Sequence, residues 1–268
     1  MAERRPAARS LGAVSDEPPG PQDDELPEQL RVRRAKLDRM RESGVDPYPV
    51  TGVAACSTVP ALLPALRQLL DRLAVPVTLI GPGVRTGVPL HVDNPREVGA
   101  DRVVTALAAH ERYGRRSDGS GRPVVVVDFG TSTNVDAVGP DGQFLGGALA
   151  PGVEVSLDAL ATRAAQLRSV ELTVPLQAIG KNTVAALQSG LVLGFAGLVD
   201  GLVTRIAGEL VEQFGAAPVV VATGGLHRLV ADSCRSIGER DPDLTVHGLR
   251  LAFERHQASG GGSSSARP

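Results

Sequence analysis

The chain has no tryptophan, and aromatic residues make up only 3% of its 268 residues. A core built under that restriction must consist largely of valine, leucine and alanine. Cysteine is nearly absent too, with 2 residues, Cys56 and Cys234. Neither belongs to a C-x-x-C pair and both lie among small or apolar neighbours, so they read as reduced thiols in a cytosolic protein. Neither charge sign is in excess: 28 Lys+Arg stand against 30 Asp+Glu, a net charge of -2. This removes any global electrostatic case for nucleic-acid or membrane binding. No apolar segment follows the basic start "MAERRPAARS", so a signal peptide is not expected. The longest apolar stretches are interrupted by glycine or charge before they reach membrane-spanning length. What remains is a cytoplasmic protein, 42% hydrophobic and 22% charged, large enough for one big domain or two lobes.

Residues 1–22 are rich in proline, alanine and charge, and are expected to be disordered. Residues 23–50 carry a thin apolar stripe, Leu26, Leu30, Leu37 and Met40, surrounded by Arg31, Arg33, Arg34, Lys36, Arg39 and Arg41. That pattern predicts a basic helix stopped at Gly44 and "DPYP". Composition favours a solvated helix over one that binds RNA phosphates. From Val53 onward strands and helices alternate. "GVAACSTVP", "VPVTLIGPGV" and "PVVVATGG" read as strands. "ALLPALRQLLDRLA", "VGADRVVTALAAHERYG", "VSLDALATRAAQL", "LHRLVADSCRSIG" and "LTVHGLRLAFERH" read as helices, and 181–215 as one or two long ones. Residues 258–268 form a flexible tail. Continuous apolar strands alternating with helices indicate α/β layers.

Four stretches carry chemistry. In "VVVVDFGTSTNVDAVGPDGQFLGG" a valine strand delivers Asp128 to a bend where Gly130 lets the backbone approach a ligand. Thr131, Ser132 and Thr133 add hydroxyls and amides suited to phosphate oxygens, while the carboxylate suits a cation. In "DNPREVGADRVV", Asp101 and Arg102 fall in the first turn of a helix. An acid there is favoured by the helix dipole in any protein, and it could also accept a proton from a substrate hydroxyl. In "IGKNTVAALQSG", Asn182 or Thr183 reads as an N-cap. In "VVVATGGLHRL", Gly224 and Gly225 join a strand to a helix, where a nucleotide can approach the backbone.

These strings, together with "GPGVRTGVPL", "GGALAPG" and "DLTVHGLRLAFERH", occur in the order found in type III pantothenate kinases, and residues 53–256 resemble that family. The resemblance implies an actin-like ATPase, sugar-kinase-type α/β fold with two lobes, here 51–122 as the remainder of the first and 123–257 as the second. It implies ATP-dependent phosphorylation of pantothenate, the first step to coenzyme A, with magnesium and a monovalent cation, potassium or ammonium. It also implies a homodimer with the substrate site at its interface. By motif, Asp101 is the proton acceptor. Gly99, Ala100, Asp101 and Arg102 hold pantothenate, and Thr183 touches it from the partner subunit. Asp128 binds the monovalent cation, and Gly130, Thr131, Gly224 and Gly225 serve ATP. Asn134 stands where the family pattern has Thr. The apolar stripe Leu187, Leu191, Phe195, Leu198, Leu202 and Ile206 is the expected dimer face.

The family also begins with a strand and a D-x-G-N-T turn, and residues 1–53 contain no such string. Residues 24–50 instead resemble the start of a bacterial lysyl-tRNA synthetase. The expectation is therefore a fusion whose kinase part has a truncated N-terminal lobe and weak or absent activity. The alternatives are a non-catalytic dimeric binding or regulatory descendant, or a fusion without function. Binding of tRNA through 24–50 is a further option.

Overall fold

Four consecutive valines, Val124–Val127, are at most 1% exposed and form the centre of the molecule. Each side chain so buried contributes roughly 1.5–3 kcal/mol. In the computed structural model they belong to a five-stranded sheet. The structure describes residues 52–57, 60–73, 75–81, 86–163 and 170–258, all within one compact unit, Thr51–Pro268. The expected disordered segment 1–22, the basic helix 23–50 and residues 259–268 of the expected tail lie outside the described residues.

Along the chain come β1 (Val53–Cys56), α1 (Leu63–Leu70), β2 (Val77–Ile80), α2 (Ala100–Ala109), β3 (Val124–Phe129), β4 (Ser132–Val138) and β5 (Phe144–Pro151). These are followed by α3 (Val153–Arg163), α4 (Thr183–Phe214), β6 (Val219–Thr223), α5 (His227–Val230), β7 (Glu239–Arg240) and α6 (Leu244–Ala258). β1 and β2 pair in parallel as a small sheet of their own. The large sheet runs β5-β4-β3-β6-β7. β3 pairs antiparallel with β4 and parallel with β6, β4 pairs antiparallel with β5, and β6 pairs parallel with β7. A hairpin and a third strand on one side of the first strand, with two parallel strands on the other, is the sheet of an actin-like ATPase lobe.

Alternation along β3 divides the core. Val125, Val127 and Phe129 face a layer that includes α3 and α4, through Val153, Leu157, Leu191, Phe195 and Val199. Val124 and Val126 face the opposite layer with Phe144, Ala106 and Leu244. The expected core of valine, leucine and alanine is present, with Phe129 and Phe144 as its largest fully buried side chains.

On the second face α2 and α6 pack closely. The Thr105 and Thr245 hydroxyls meet at 2.8 Å, and a methyl group on Gly248 would fall 1.9 Å from the Val104 carbonyl oxygen. Overpacking against backbone costs about 1–3 kcal/mol, more than alanine's helix propensity returns. Gly248→Ala should therefore lower the melting temperature, by roughly 2–4 °C per kcal/mol lost in a chain of this size. Calorimetry showing an unchanged Tm would contradict this close packing.

Three elements differ from the sequence reading. "LHRLVADSCRSIG" is not one helix. α5 is four residues long, a 3-10 turn follows at Ala231–Ser233, and the chain then turns away. The reason is Asp200 on α4, whose carboxylate accepts the amides of Arg235 and Ser236 at 2.9 Å and the Ser236 hydroxyl at 2.7 Å. Those amides cannot continue a helix. The short strand β7 beyond them carries no pattern of its own and depends on its place beside β6. Lastly, residues 183–214 form one unbroken helix, long and apolar enough to cross a membrane by length and composition, with mean hydropathy 1.6 in its most apolar window. One helix is among the alternatives of the sequence reading; the difference is that its glycines do not hold its apolar length short of a membrane span. One side of it is core: Val192, Val199 and Val203 are at most 2% exposed.

Candidate active site

The first turn of α2 and the β3–β4 hairpin converge on the second face of the sheet. "DNPREVGADR" folds as a 3-10 turn, Pro95–Glu97, whose Asn94 cap accepts the Arg96 amide at 3.3 Å. Val98 is extended, and α2 starts after Gly99. Asp101 and Arg102 thus open a helix whose remaining residues from Val103 to Ala109 are buried. A methyl group on Gly99 would lie 2.5 Å from Asp101 Oδ1, so glycine leaves room for that carboxylate to fold back over the chain.

The hairpin supplies the rest. Asp128 pairs in register with Asn134 on β4 and with Thr223 on β6. The tip is fastened from two sides: Gly152 donates to the Thr131 carbonyl at 3.0 Å, and Leu226 donates to the Phe129 carbonyl at 3.1 Å. Gly224 has φ +89°, and a methyl group there would fall 2.3 Å from Asp128 Oδ1 and 2.6 Å from the Phe129 carbonyl. Both geometry and space therefore require glycine at 224. Gly225 faces open space, and the Thr131 side chain is exposed.

A residue the sequence reading did not single out completes the group. Asp136 on β4 accepts Arg102 Nε at 3.1 Å and 3.2 Å on its two oxygens, and Nη2 on Oδ1. The guanidinium carbon lies 5.2 Å from the centre of the Phe144 ring. Asp136 could have been found from period-2 alternation: Asn134 and Asp136 share a face of β4, and the antiparallel register puts that face beside Asp128.

Asp136 is bonded to the Arg102 guanidinium, and the charges of Asp101 and Asp136 both act on Asp128. Burial, then the neighbouring charges of Asp101 and Asp136, push the Asp128 carboxyl up to about 6. Burial also raises the Asp136 carboxyl, against the opposing pull of Arg102. The Thr223 hydroxyl beside Asp128 is buried with no hydrogen-bond partner. A surplus of negative charge beside an unused oxygen fits a cation. Among the described residues no three His, Cys, Asp or Glu side chains converge to cage a metal.

The profile of the type III pantothenate kinase family matches residues 23–205. The chain belongs to the type III pantothenate kinase family. The match begins at residue 23, earlier than residue 53, where the sequence reading placed the start of the resemblance. Among named members, the type III pantothenate kinase of Saccharopolyspora erythraea is 51% identical over 259 residues, covering 93% of this chain and 95% of that protein. That of Acidothermus cellulolyticus is 55% identical over 209 residues, covering 77% of each. Among solved structures, a Baf family protein of Campylobacter jejuni aligns with a TM-score of 0.53 at 16% identity, over 83% of this chain and 89% of that one. That likeness is one of fold.

The residues carried over from the family do not all meet in one chain. Gly130 and Gly224 lie against Asp128 at the hairpin, and the charge of Asp101 acts on Asp128. Arg102 is bonded to Asp136 further along β4; Gly99 and Ala100 precede Asp101 and Arg102 at the start of α2. Thr183 is exposed at the start of α4, the helix that packs on the opposite face of the sheet, and Asn182 before it is the cap, accepting the Ala185 amide at 2.9 Å. Of the apolar stripe expected at a dimer face, Leu191 and Phe195 are buried in the protomer's own core and Leu202 and Ile206 pack against it, while Leu198 is 36% exposed.

Proposed function

We propose that this site binds pantothenate and ATP for transfer of the γ-phosphoryl group to the pantothenate hydroxyl, giving 4'-phosphopantothenate in the cytoplasm. The observation that carries this reading is the placement of Asp101 and Arg102, at the start of α2, beside the glycine-lined tip at Asp128. As the hydroxyl oxygen attacks phosphorus and the bond to ADP breaks, Asp101 takes the hydroxyl proton. Arg102 and the turn at Gly99 and Ala100 hold pantothenate. Thr131, Gly130, Gly224 and Gly225 present amides and a hydroxyl to the phosphates. Potassium or ammonium at Asp128 would offset phosphate charge, and magnesium would come with the nucleotide. In this reading residues 51–122 are what this chain has of the first lobe and 123–257 are the second. The sequence supplies one D-x-G-T hairpin, so turnover by this chain is expected to be low even where binding is retained.

A homodimer completes the proposal, with Thr183 serving the partner's pantothenate. It is supported by the outer side of α4, where Gly190, Gly194, Gly197 and Gly208 face open space around exposed Leu198. Nearby in sequence, Leu176 and Ile179 are exposed at 105% and 77%. Isothermal titration should show pantothenate binding, and sedimentation at micromolar concentration should show a dimer. A chain that binds no pantothenate would end the substrate reading, and a strict monomer would end the shared site.

A further inference from the structure

We infer that Asp136 is a positioning residue: it locks the Arg102 guanidinium so that the outer edge faces a substrate carboxylate. This rests on the reading of Arg102 as a pantothenate-holding residue. A guanidinium has five N–H donors in a rigid plane. The contacts to Asp136 use Nε and one side of Nη2. Both hydrogens of Nη1 and the second one of Nη2 remain, forming a second fork on the outer edge. Such a fork matches a carboxylate in geometry as well as charge, and pantothenate carries one carboxylate.

The surroundings fix the plane of that fork. Phe144 stacks against the guanidinium at 5.2 Å. Beside Asp136, glycine at 147 leaves the space the carboxylate occupies: a methyl group there would come within 2.8 Å of Oδ1 and 2.2 Å of the Val135 carbonyl, so the carboxylate lies close against the β5 backbone. Burial is unequal across the pair: the Asp136 side chain is 5% exposed and that of Arg102 15%. The acid is the fixed end and the guanidinium the accessible one. A buried ion pair gives little net stability over a well-packed apolar pair, so this arrangement is better explained by what Arg102 presents. The arginine belongs to α2, yet its direction is set by the register of β4.

The test combines binding with a spectroscopic probe of Arg102. Wild type, Asp136→Asn and Asp136→Glu are titrated with pantothenate and with its analogue bearing an alcohol in place of the carboxylate. The Arg102 Nε–H resonance is identified by its loss in Arg102→Lys. In wild type it should be shifted downfield and slow to exchange. Asp136→Asn should weaken pantothenate binding by roughly 10-fold or more, reduce the preference over the alcohol, and broaden the Nε–H signal. Asp136→Glu, which keeps the charge, should recover part of each. An Asn variant with wild-type affinity, preference and Nε–H signal would overturn the inference. If the Asn variant does not fold, a Glu variant indistinguishable from wild type in all three overturns it instead. If wild type binds no pantothenate, the substrate reading fails, and the resonance still decides whether Asp136 holds Arg102.

Discussion

Given saturating pantothenate, ATP, magnesium and potassium, the 268-residue chain should phosphorylate pantothenate far below the ~1–100 per second of ordinary kinases. Phosphoryl transfer has a loose transition state that asks little of the base. It asks most of the groups that align the phosphates and spread their charge. In the proposed reading, Asp101 is the base, and Asp128 and Thr131 belong to one phosphate-binding hairpin. A D-x-G-N-T partner for that hairpin is absent from residues 1–53, and the basic stretch 23–43 before Gly44 holds no glycine. Removing even one set of preorganised donors costs on the order of 10²–10³ in rate, so a defect of at least that size is expected. A coupled assay of ADP release measures it, with Asp101→Asn as the control that separates true turnover from a contaminating kinase. A rate in the ordinary range that disappears with Asp101→Asn would show that one hairpin suffices.

The central sheet was legible because its signals are local. Val124–Val127 is a buried strand on composition alone, and "GPDG" marks the turn into β5. The same holds for Asp101, Asp128 and the glycines at 224 and 225, which stand at element ends where chain reversal and polar residues coincide. Asp136 was harder to see because it sits inside a strand, where an acid looks like a solvent-facing position. Only the pairing of Asp128 with Asn134, together with an arginine distant in sequence, shows that it is buried. The break after Val230 was illegible for the same reason. Nothing in "ADSCRSIG" stops a helix, and the stop comes from Asp200 on another element. The depth of Leu191 and Phe195 could not be read either, since an apolar helix stripe looks the same whether it covers its own sheet or a second protomer.

Replacing Asp128 with asparagine should make the protein more stable at pH 8 in a buffer without potassium or ammonium. The native carboxyl titrates near 6, whereas an unfolded aspartate titrates near ~3.9. A carboxyl raised in the native state favours folding most when it is protonated in both states. Its contribution is therefore fully present below about pH 4 and is lost as pH rises through about 6. Above that, wild type holds a buried charge beside Asp101 and Asp136 that the asparagine variant does not. At about 1.4 kcal/mol per pKa unit, the variant should gain about 3 kcal/mol at pH 8, and the advantage should vanish near pH 4. Urea unfolding at pH 4, 6 and 8 reads this directly. Potassium then separates function from mere burial. An ion that binds only the ionised native site stabilises wild type by RT ln(1 + [L]/Kd), so the gap at pH 8 should close as potassium is added, while the variant does not respond. An asparagine variant weaker than wild type at pH 8 without potassium would contradict the raised titration. A gap that potassium leaves unchanged would leave burial as the sole cause, and the monovalent cation would then belong elsewhere in the protein.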